Sequence, residues 1–221
     1  MYRFIDLSNN NRVSSFDAVK KAGIEGVWLK VSEGATFADP DFSSFARRAR
    51  AAGLRVGGYH FAYPQHASSD AVGEARFFAA KLGKIQARDL RPVLDFEINP
   101  EHMSNADLEA WTRAFNREVA KLTGTLPLYY SYGSFLHPSK PVGAGLWLAN
   151  YGRNDGKDFD VAPPPPWKKV AAHQFTSNGQ IPGVDGRCDV SSARSLSPLL
   201  AHPIRGRLPR VRGGGGPLKS A

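Results

Sequence analysis

The 221-residue sequence has one cysteine and no long apolar run. Cys188 has no partner for an internal disulfide, which is typical of proteins made in a reducing compartment. No stretch of about eighteen uninterrupted apolar residues occurs, so we expect no membrane insertion. The first residues also lack the basic, apolar and small-residue regions of a secretory signal. We therefore expect synthesis in the cytoplasm without a signal peptide.

The sequence also lacks the signature of a metal site. Its six histidines are scattered, and none forms a His-Glu-x-x-His pattern or a similar ligand spacing. We expect no metal and no cofactor. A catalytic role for the thiol of Cys188 is not indicated either.

The net charge of +9 is unevenly distributed. Residues 204–221 contain four arginines, one lysine and no acid, together with four consecutive glycines and two prolines. We predict one globular domain over residues 1–203 and a basic, disordered tail or linker over residues 204–221. Such a tail favours contact with an anionic polymer. Because its arginines lack interleaved aromatic residues, we expect no nucleic-acid binding.

From residue 2 to residue 135, short β-rich apolar runs alternate with helical periodicities, which indicates successive βα units. The predicted strands are Tyr2–Ser8, Gly26–Ser32, Arg55–Tyr63, Arg91–Ile98 and Pro127–Tyr132, followed by Gly145–Tyr151, Lys169–Ser177 and Arg187–Val190. The predicted helices are Ser14–Ala22, Asp41–Ala52, Ser69–Leu82 and Asn105–Leu122, with cap glycines at 23, 53, 83 and 124 and a capping box at Ser104 and Asp107. After residue 135 the helical pattern fades.

Asp95 and Glu97 end the apolar run that begins at Pro92. Strand alternation directs both carboxylates to one face, where repulsion raises the pKa of one of them, as general acid catalysis of glycosidic bonds requires. An Asp-x-Glu motif is short and also occurs on solvated strand edges. However, the polarity change at the end of this strand is typical of an active site in an α/β barrel.

Polar and aromatic residues end several other predicted strands. They are Asp6, Glu33, Tyr59, Phe61, Gln174 and Asp189. If the strands are parallel and close into a barrel, these groups meet at one rim. Carboxylates for the chemistry and aromatic faces for pyranose rings are what a sugar pocket needs.

Ordered motifs along residues 3–195 make the chain resemble glycoside hydrolase family 25, the Chalaropsis-type lysozymes or N-acetylmuramidases. The motifs are Phe4-Ile5-Asp6-Leu7-Ser8, Lys30-Val31-Ser32-Glu33-Gly34, Gly58-Tyr59-His60-Phe61-Ala62, Leu94-Asp95-Phe96-Glu97, Leu146-Trp147-Leu148-Ala149-Asn150-Tyr151, Gln174-Phe175-Thr176-Ser177 and Gly183-Val184-Asp185-Gly186-Arg187-Cys188-Asp189. His173 and Phe175 depart from the tryptophan and tyrosine common in the family, which bears on sugar stacking.

The resemblance implies an α/β fold, an irregular TIM-like barrel of five βα units followed by about three strands with little or no helix. It implies a peptidoglycan hydrolase of the phage endolysin kind, which acts on the bacterial cell wall after a partner opens the membrane. A monomer is the default expectation. Glu97 is then the general acid with Asp95 as its partner, and Asp6 and Asp189 complete the acid cluster. The implied sugar-binding residues are Glu33, Tyr59, Phe61, Tyr130, Trp147, Tyr151 and Gln174.

The residues themselves leave alternatives open. Glu33 is also explained by a rim ion pair with Lys30, and Asp6 by a structural role. Trp28 and Trp111 fit core packing, Trp147 fits core and groove equally, and His60 fits a hydrogen-bonded structural role. Hydrolysis of chitin-like N-acetylglucosamine polymers and non-catalytic wall binding are the competing functions. Inverting attack by water and a substrate-assisted route are not distinguished by sequence spacing.

Overall fold

The computed structural model describes residues 1–84, 86 and 89–201. Within them, the strands are β1 (Tyr2–Leu7), β2 (Arg12–Val13), β3 (Ile24–Glu33), β4 (Phe37–Ala38), β5 (Arg55–Phe61), β6 (Val93–Asp95), β7 (Leu128–Tyr132), β8 (Leu146–Ala149), β9 (Val170–Gly179), β10 (Val184–Asp185) and β11 (Cys188–Ala193). Eight of these close into a barrel in the order β1, β11, β9, β8, β7, β6, β5, β3, since β3 also pairs with β1. The predicted barrel is confirmed. The predicted tail, residues 204–221, lies outside the described residues.

Seven of the barrel strands run parallel, and β11 runs antiparallel to both of its neighbours, β1 and β9. The expectation of an all-parallel set therefore needs correction for the last strand. Because β11 is reversed, its amino-terminal end lies at the rim where the other seven strands have their carboxyl ends. A residue at the start of β11 thus reaches the same rim as residues at the ends of the other strands.

Four α-helices lie in the described residues: α1 (Phe16–Lys21), α2 (Phe42–Ala51), α3 (Asp70–Leu82) and α4 (Asn105–Thr123). Each is followed by its predicted glycine in a positive-φ conformation. The predicted capping box is also present, because Ser104 Oγ accepts the Asp107 N–H at 3.2 Å and donates to the Asp107 carboxylate at 2.6 Å.

The fifth predicted βα unit lacks its helix. Residues 133–145, which follow β7, contain no helix in the structure and connect β7 directly to β8. Pro138, Pro141 and the nearby glycines explain this, because proline removes a backbone donor and glycine disfavours helix. The strands β8, β9 and β11 likewise have no α-helix after them in the described residues, as predicted. None of the described helices is long and apolar enough to cross a membrane.

Apolar packing occurs in two layers, one between strands and helices and one inside the barrel. Trp28 and Trp147 stack in the interior with ring centroids 4.4 Å apart, while Trp111 packs on Phe115 in the outer layer. The core role predicted for Trp28 and Trp111 is confirmed, since both are buried. Gly57 makes room for Trp28, because a Cβ there would lie 2.3 Å from the indole. The filled interior leaves space for a site only at the rim.

Candidate active site

A cavity of about 290 Å³ opens at the carboxyl ends of the parallel strands. Ten of the eleven predicted site residues line it: Asp6, Tyr59, Phe61, Asp95, Glu97, Tyr130, Trp147, Tyr151, Gln174 and Asp189. The structure therefore brings together all four predicted acids and six of the seven predicted sugar-binding residues.

Each acid is positioned by the end of a strand. Asp6 lies near the carboxyl end of β1, directly opposite Asp189 near the start of the reversed β11. Asp95 is the last residue of β6, with Phe61 and Tyr130 as its register neighbours. Among the described residues, no lysine, arginine or histidine forms a salt bridge with any of the four acids.

The carboxyl groups of Asp95 and Glu97 lie close enough to interact through a side-chain hydrogen bond, and one shared proton would satisfy that contact. Burial raises the pKa of both groups, and the charge of Glu97 raises the pKa of Asp95 further. Asp95 is 8% exposed, and its Oδ1 atom has no hydrogen-bond partner among the described residues. Glu97 is the more accessible of the two, and it is therefore the better placed to reach a ligand in the cavity.

Asp6 and Asp189 also have raised pKa values. Burial raises the pKa of Asp6 well above its usual range, and the charge of Asp189 adds to that rise. The pKa of Asp189 is raised to about 6, first by burial and then by the charge of Glu97. At neutral pH the cluster therefore retains protons that carboxyl groups in water would have lost.

Gln174 connects Asp6 to two tyrosines. Its amide N–H donates to Asp6 Oδ2 at 2.9 Å, and its carbonyl oxygen accepts the hydroxyl groups of Tyr130 at 2.7 Å and Tyr151 at 2.9 Å. The side chain is almost entirely buried. One wall of the cavity is thus a chain of hydrogen bonds that ends on an acid.

Aromatic rings make up most of the remaining wall. Tyr59 and Phe61 alternate along β5 on the side that faces the cavity. Trp147 serves both core and cavity, because it stacks on Trp28, touches the Tyr130 ring edge-on at 4.8 Å and donates its indole N–H to Ser191. Both alternatives stated for Trp147 therefore apply.

Glu33 is the one predicted residue that the cavity wall does not include. It is 2.5 Å from Lys30 Nζ, and that ammonium lies over the Phe61 ring at 5.2 Å and the Phe37 ring at 5.5 Å. Glu33 is also the last residue of β3, where it pairs with Phe37 of β4. The strand continues into a hairpin past the rim, which separates Glu33 from the other acids. This geometry matches the rim ion pair.

The two departures from the family pattern do not line the cavity. His173 and Phe175 flank the inward-facing Gln174 on β9, so strand alternation turns both to the outer face. There His173 Nε2 lies 2.8 Å from the Asn150 carbonyl oxygen and its ring meets Phe159 edge-on. Neither substitution therefore alters the aromatic wall of the cavity.

His60 lies behind the cavity wall rather than in it. It is completely buried, with Nδ1 at 2.9 Å from Ser32 Oγ and Nε2 at 2.7 Å from Glu74 Oε2. Burial lowers the pKa of His60 to about 3 and raises that of Glu74 to about 8, so this contact joins two neutral groups at neutral pH. The histidine is structural, in agreement with the prediction from the sequence.

Sequence analysis missed Ser8 and Asn10, which line the cavity just past the end of β1. Their signal was the polar run Ser8-Asn9-Asn10-Asn11 that follows a strand ending beside Asp6. A second cavity of about 700 Å³ lies where β8 and β9 begin and β11 ends, and it includes none of the predicted residues. Among the described residues, no group of three or more acid, histidine or cysteine side chains is arranged to hold a metal ion.

An acid cluster and aromatic walls at the carboxyl rim are the features of a barrel glycoside hydrolase. Residues 5–184 match the sequence profile of Glycosyl hydrolases family 25, and the chain belongs to that family, as the motifs predicted.

Similar proteins support the same assignment. The lysozyme of Streptococcus phage Cp-1 is 29% identical over 186 residues, which cover 79% of this chain and 52% of that protein. The bacterial lysozyme of Streptomyces coelicolor superposes with a TM-score of 0.78 at 25% identity, covering 88% of this chain and 92% of that one. The family GH25 lysozyme of Aspergillus fumigatus gives 0.75 at 28% identity, with 88% and 94% coverage. The chain spans about half the length of the phage relative.

Proposed function

We propose that the chain is a lysozyme that cleaves the β-1,4 bond between N-acetylmuramic acid and N-acetylglucosamine in bacterial peptidoglycan. The observation that carries the proposal is the pair of neighbouring carboxyl groups, Asp95 and Glu97, in an aromatic-walled cavity with two more acids. Family membership and the likeness to lysozymes support it.

In the proposed reaction, Glu97 is the general acid that protonates the departing glycosidic oxygen. At neutral pH the proton shared by Asp95 and Glu97 leaves Glu97 with a proton to donate, as a general acid requires. Negative charge on Asp6 or Asp189 stabilises the positive charge that develops at the anomeric carbon. Tyr59, Phe61, Trp147 and Tyr151 provide surfaces for pyranose rings.

The contact between Asp95 and Glu97 argues against an inverting reaction in which these two groups are the acid and the base. An inverting pair is separated by roughly 6.5–9.5 Å to admit the attacking water, whereas hydrogen-bonded carboxyl groups leave no such gap. We assign to Asp95 the task of holding the substrate's 2-acetamido group while that group attacks the anomeric carbon. The Oδ1 atom of Asp95 has no hydrogen-bond partner among the described residues, so its capacity to accept a hydrogen bond is unused in the protein alone.

The likeness to a phage lysozyme leads us to propose that the chain acts as a monomeric endolysin. It would be made in the cytoplasm and would reach the wall once a partner opens the membrane. Release of wall fragments by intact cells carrying the protein, with and without a membrane-opening agent, tests this setting. Light scattering on the purified chain tests the monomeric state.

The chemical test uses insoluble peptidoglycan with the wild type, Glu97→Gln and Asp95→Asn. Glu25→Gln is the matched control, because Glu25 lies near the opposite end of β3 in a salt bridge with Arg55. New N-acetylmuramic acid reducing ends from the wild type and the control, but not from Glu97→Gln, would support the proposal. N-acetylglucosamine ends, or hydrolysis of chitin oligosaccharides instead, would point to the competing hydrolase. Wall binding without release would point to a binding protein.

A further inference from the structure

Gln174 is predicted from sequence to contact sugar, but every polar atom of its side chain is already engaged within the protein. Its carbonyl oxygen accepts two hydroxyl groups, those of Tyr130 and Tyr151, and its amide nitrogen donates to Asp6. With 2% of its surface exposed, the side chain presents little to a ligand. The residue lines the cavity, but its polar atoms are bonded to an acid of the cluster and to two tyrosines.

In the structure the amide of Gln174 directs its carbonyl oxygen to the two tyrosines and its nitrogen to Asp6. A carbonyl oxygen has two lone pairs, and Tyr130 and Tyr151 occupy both. The atom left for Asp6 is therefore the amide nitrogen, which can only donate. A carboxylate accepts that hydrogen bond with either oxygen, whereas a protonated Asp6 would find no acceptor on Gln174 for its own proton.

We propose that Gln174 is a positioning residue for Asp6: clamped by Tyr130 and Tyr151, its amide N–H fixes the orientation of the Asp6 carboxyl group and favours its ionised form. The catalytic consequence of this inference rests on the proposed function. The hydrogen-bond chain itself is independent of that function. It assigns to Gln174 a task in the distribution of charge among the four acids.

The other groups around Asp6 act against ionisation. Burial raises the pKa of Asp6, the charges of Asp189 and Glu97 raise it further, and the Gln174 hydrogen bond alone lowers it. Several titratable groups surround Asp6: Cys188 and Asp189 on β11, Asp95 at the end of β6, Glu97 two residues beyond it, Tyr59 on β5, Tyr130 on β7 and Tyr151 after β8. The ammonium group of Lys30 on β3 lowers the pKa of Asp95. The Gln174 donor therefore opposes burial and the neighbouring negative charges, which favour the protonated form of Asp6.

An ionised Asp6 has two effects on the reaction. Its negative charge lies near the anomeric carbon that becomes positive in the transition state. Because the interaction between Asp6 and Glu97 is reciprocal, the same charge also keeps the shared proton on the Asp95–Glu97 pair. Gln174 thus lowers the pH at which Asp6 becomes charged, and so helps to separate a charged Asp6 from the proton on the pair.

The experiment follows the Asp6 carboxyl carbon by NMR across pH in protein labelled with carbon-13 at aspartate, with Asp6→Asn to assign the signal. We compare the wild type with Gln174→Leu and Gln174→Met, neither of which presents a hydrogen-bond donor or a new charge to Asp6. Both should raise the Asp6 titration midpoint by about one pH unit or more. The Gln174→Met variant preserves the unbranched side-chain shape if the leucine variant does not fold.

Tyr151→Phe removes one of the two clamping hydroxyl groups and should raise the midpoint by a smaller amount. Tyr132→Phe is the matched control, since the Tyr132 hydroxyl donates to the Glu97 backbone carbonyl at 3.3 Å and does not touch Gln174. An unchanged Asp6 midpoint in both Gln174 variants would overturn the proposal. An equal shift in Tyr132→Phe would also overturn it, because the effect would then not come from the clamp.

Kinetics on soluble glycan fragments separate a positioning residue from a sugar ligand. If Gln174 is a positioning residue, its variants should have a lower kcat and a KM close to that of the wild type. The acid limb of their kcat profile should move to higher pH together with the Asp6 titration midpoint. A tenfold rise in KM with an unmoved acid limb would identify Gln174 as a sugar ligand instead. If the wild type turned over no glycan and the NMR shift were present, the inference would stand and the proposed function would fail.

Discussion

Asp6 and Asp189 lie directly opposite each other across the antiparallel pair of β1 and β11. Like charges in this cross-strand relation repel, and partial burial strengthens the effect. This repulsion therefore lowers the stability of the barrel at the place where the acid groups are concentrated. Such costs are common at sites that function rather than stabilise.

This relationship predicts that Asp189→Asn stabilises the fold while lowering activity. The pKa of Asp189 is about 6 in the native state and near 4 when unfolded, so the native state binds more protons between these values. The free energy of unfolding therefore falls as pH rises from about 4 to about 6, and stays level above that. Replacing the carboxyl group should remove this decline and, after allowance for partial exposure, add about 1–2 kcal/mol at pH 7.

Urea unfolding at pH 4, 5, 6 and 7, with glycan release measured in parallel, checks this prediction. Asp185→Asn is the control, because Asp185 is exposed on β10 and does not line the cavity. A variant no more stable than the wild type at pH 7 would show that the folded protein does not raise the pKa of Asp189.

The location of the acids was predictable because strand ends and alternation are local features. Asp6, Asp95 and Glu97 follow apolar runs whose period of two already assigns them to one face. Barrel closure then brings the carboxyl ends of parallel strands together. Local pattern and fold class together thus specified most of the cavity.

Other features depend on contacts that sequence spacing does not encode. The direction of β11 follows from pairing between residues almost the whole chain apart, as with Asp6 and Asp189. Glu33 satisfies the same alternation rule as Asp6, yet a register shift in β3 and the hairpin with β4 carry it past the rim. The clamp on Gln174 likewise requires Tyr130, Tyr151 and Asp6 from three separate segments.

The buried pair of His60 and Glu74 predicts a second pH dependence of stability. Glu74, with a pKa of about 8, retains a proton in the native state that the unfolded chain loses near 4.5, so its contribution is lost as pH rises through 8. His60, with a pKa of about 3, has the opposite effect, because the unfolded chain binds a proton below about 6.5. The two effects oppose each other between about 4.5 and 6.5.

Above pH 6.5, Glu74 is the member of this pair that still makes the free energy of unfolding depend on pH. Glu74→Gln should therefore remove a decline of about 2 kcal/mol in the free energy of unfolding between pH 6.5 and 8. Denaturant unfolding at half-unit pH steps measures the slope, and Glu118→Gln on α4 is the matched control. Equal slopes in Glu74→Gln and the wild type would mean that Glu74 is ionised in the folded protein.

Cys188 is predicted to be unreactive in the native protein. It is 3% exposed at the start of β11, and burial together with the charges of Asp6 and Asp189 raises the pKa of its thiol to about 12. Since the thiolate is the reactive form, a thiol reagent at pH 8 should modify the native protein at least about a hundredfold more slowly than the urea-unfolded chain. Fast modification without unfolding would contradict the burial of this strand.

Asp95→Asn tests the shared proton directly. In the wild type, the pair loses its proton only at raised pH, because the second carboxylate would form beside the first in a buried site. Asparagine cannot share a proton and instead offers an N–H donor, which favours ionised Glu97. Glu97 should then lose its proton at lower pH, so the alkaline limb of the kcat profile moves to lower pH by about one unit or more.

The same substitution should lower kcat by about 10²–10³-fold at the optimum, because it lowers the protonated fraction of Glu97 and removes the group that holds the 2-acetamido group. A substrate whose acetamido group is replaced by hydroxyl separates the two effects. If Asp95 orients the acetamido group, wild type and Asp95→Asn should differ far less on that substrate than on the natural one. If Asp95 serves only as the proton partner of Glu97, the difference between the two enzymes should be the same on both substrates, and the substrate-assisted assignment would be wrong.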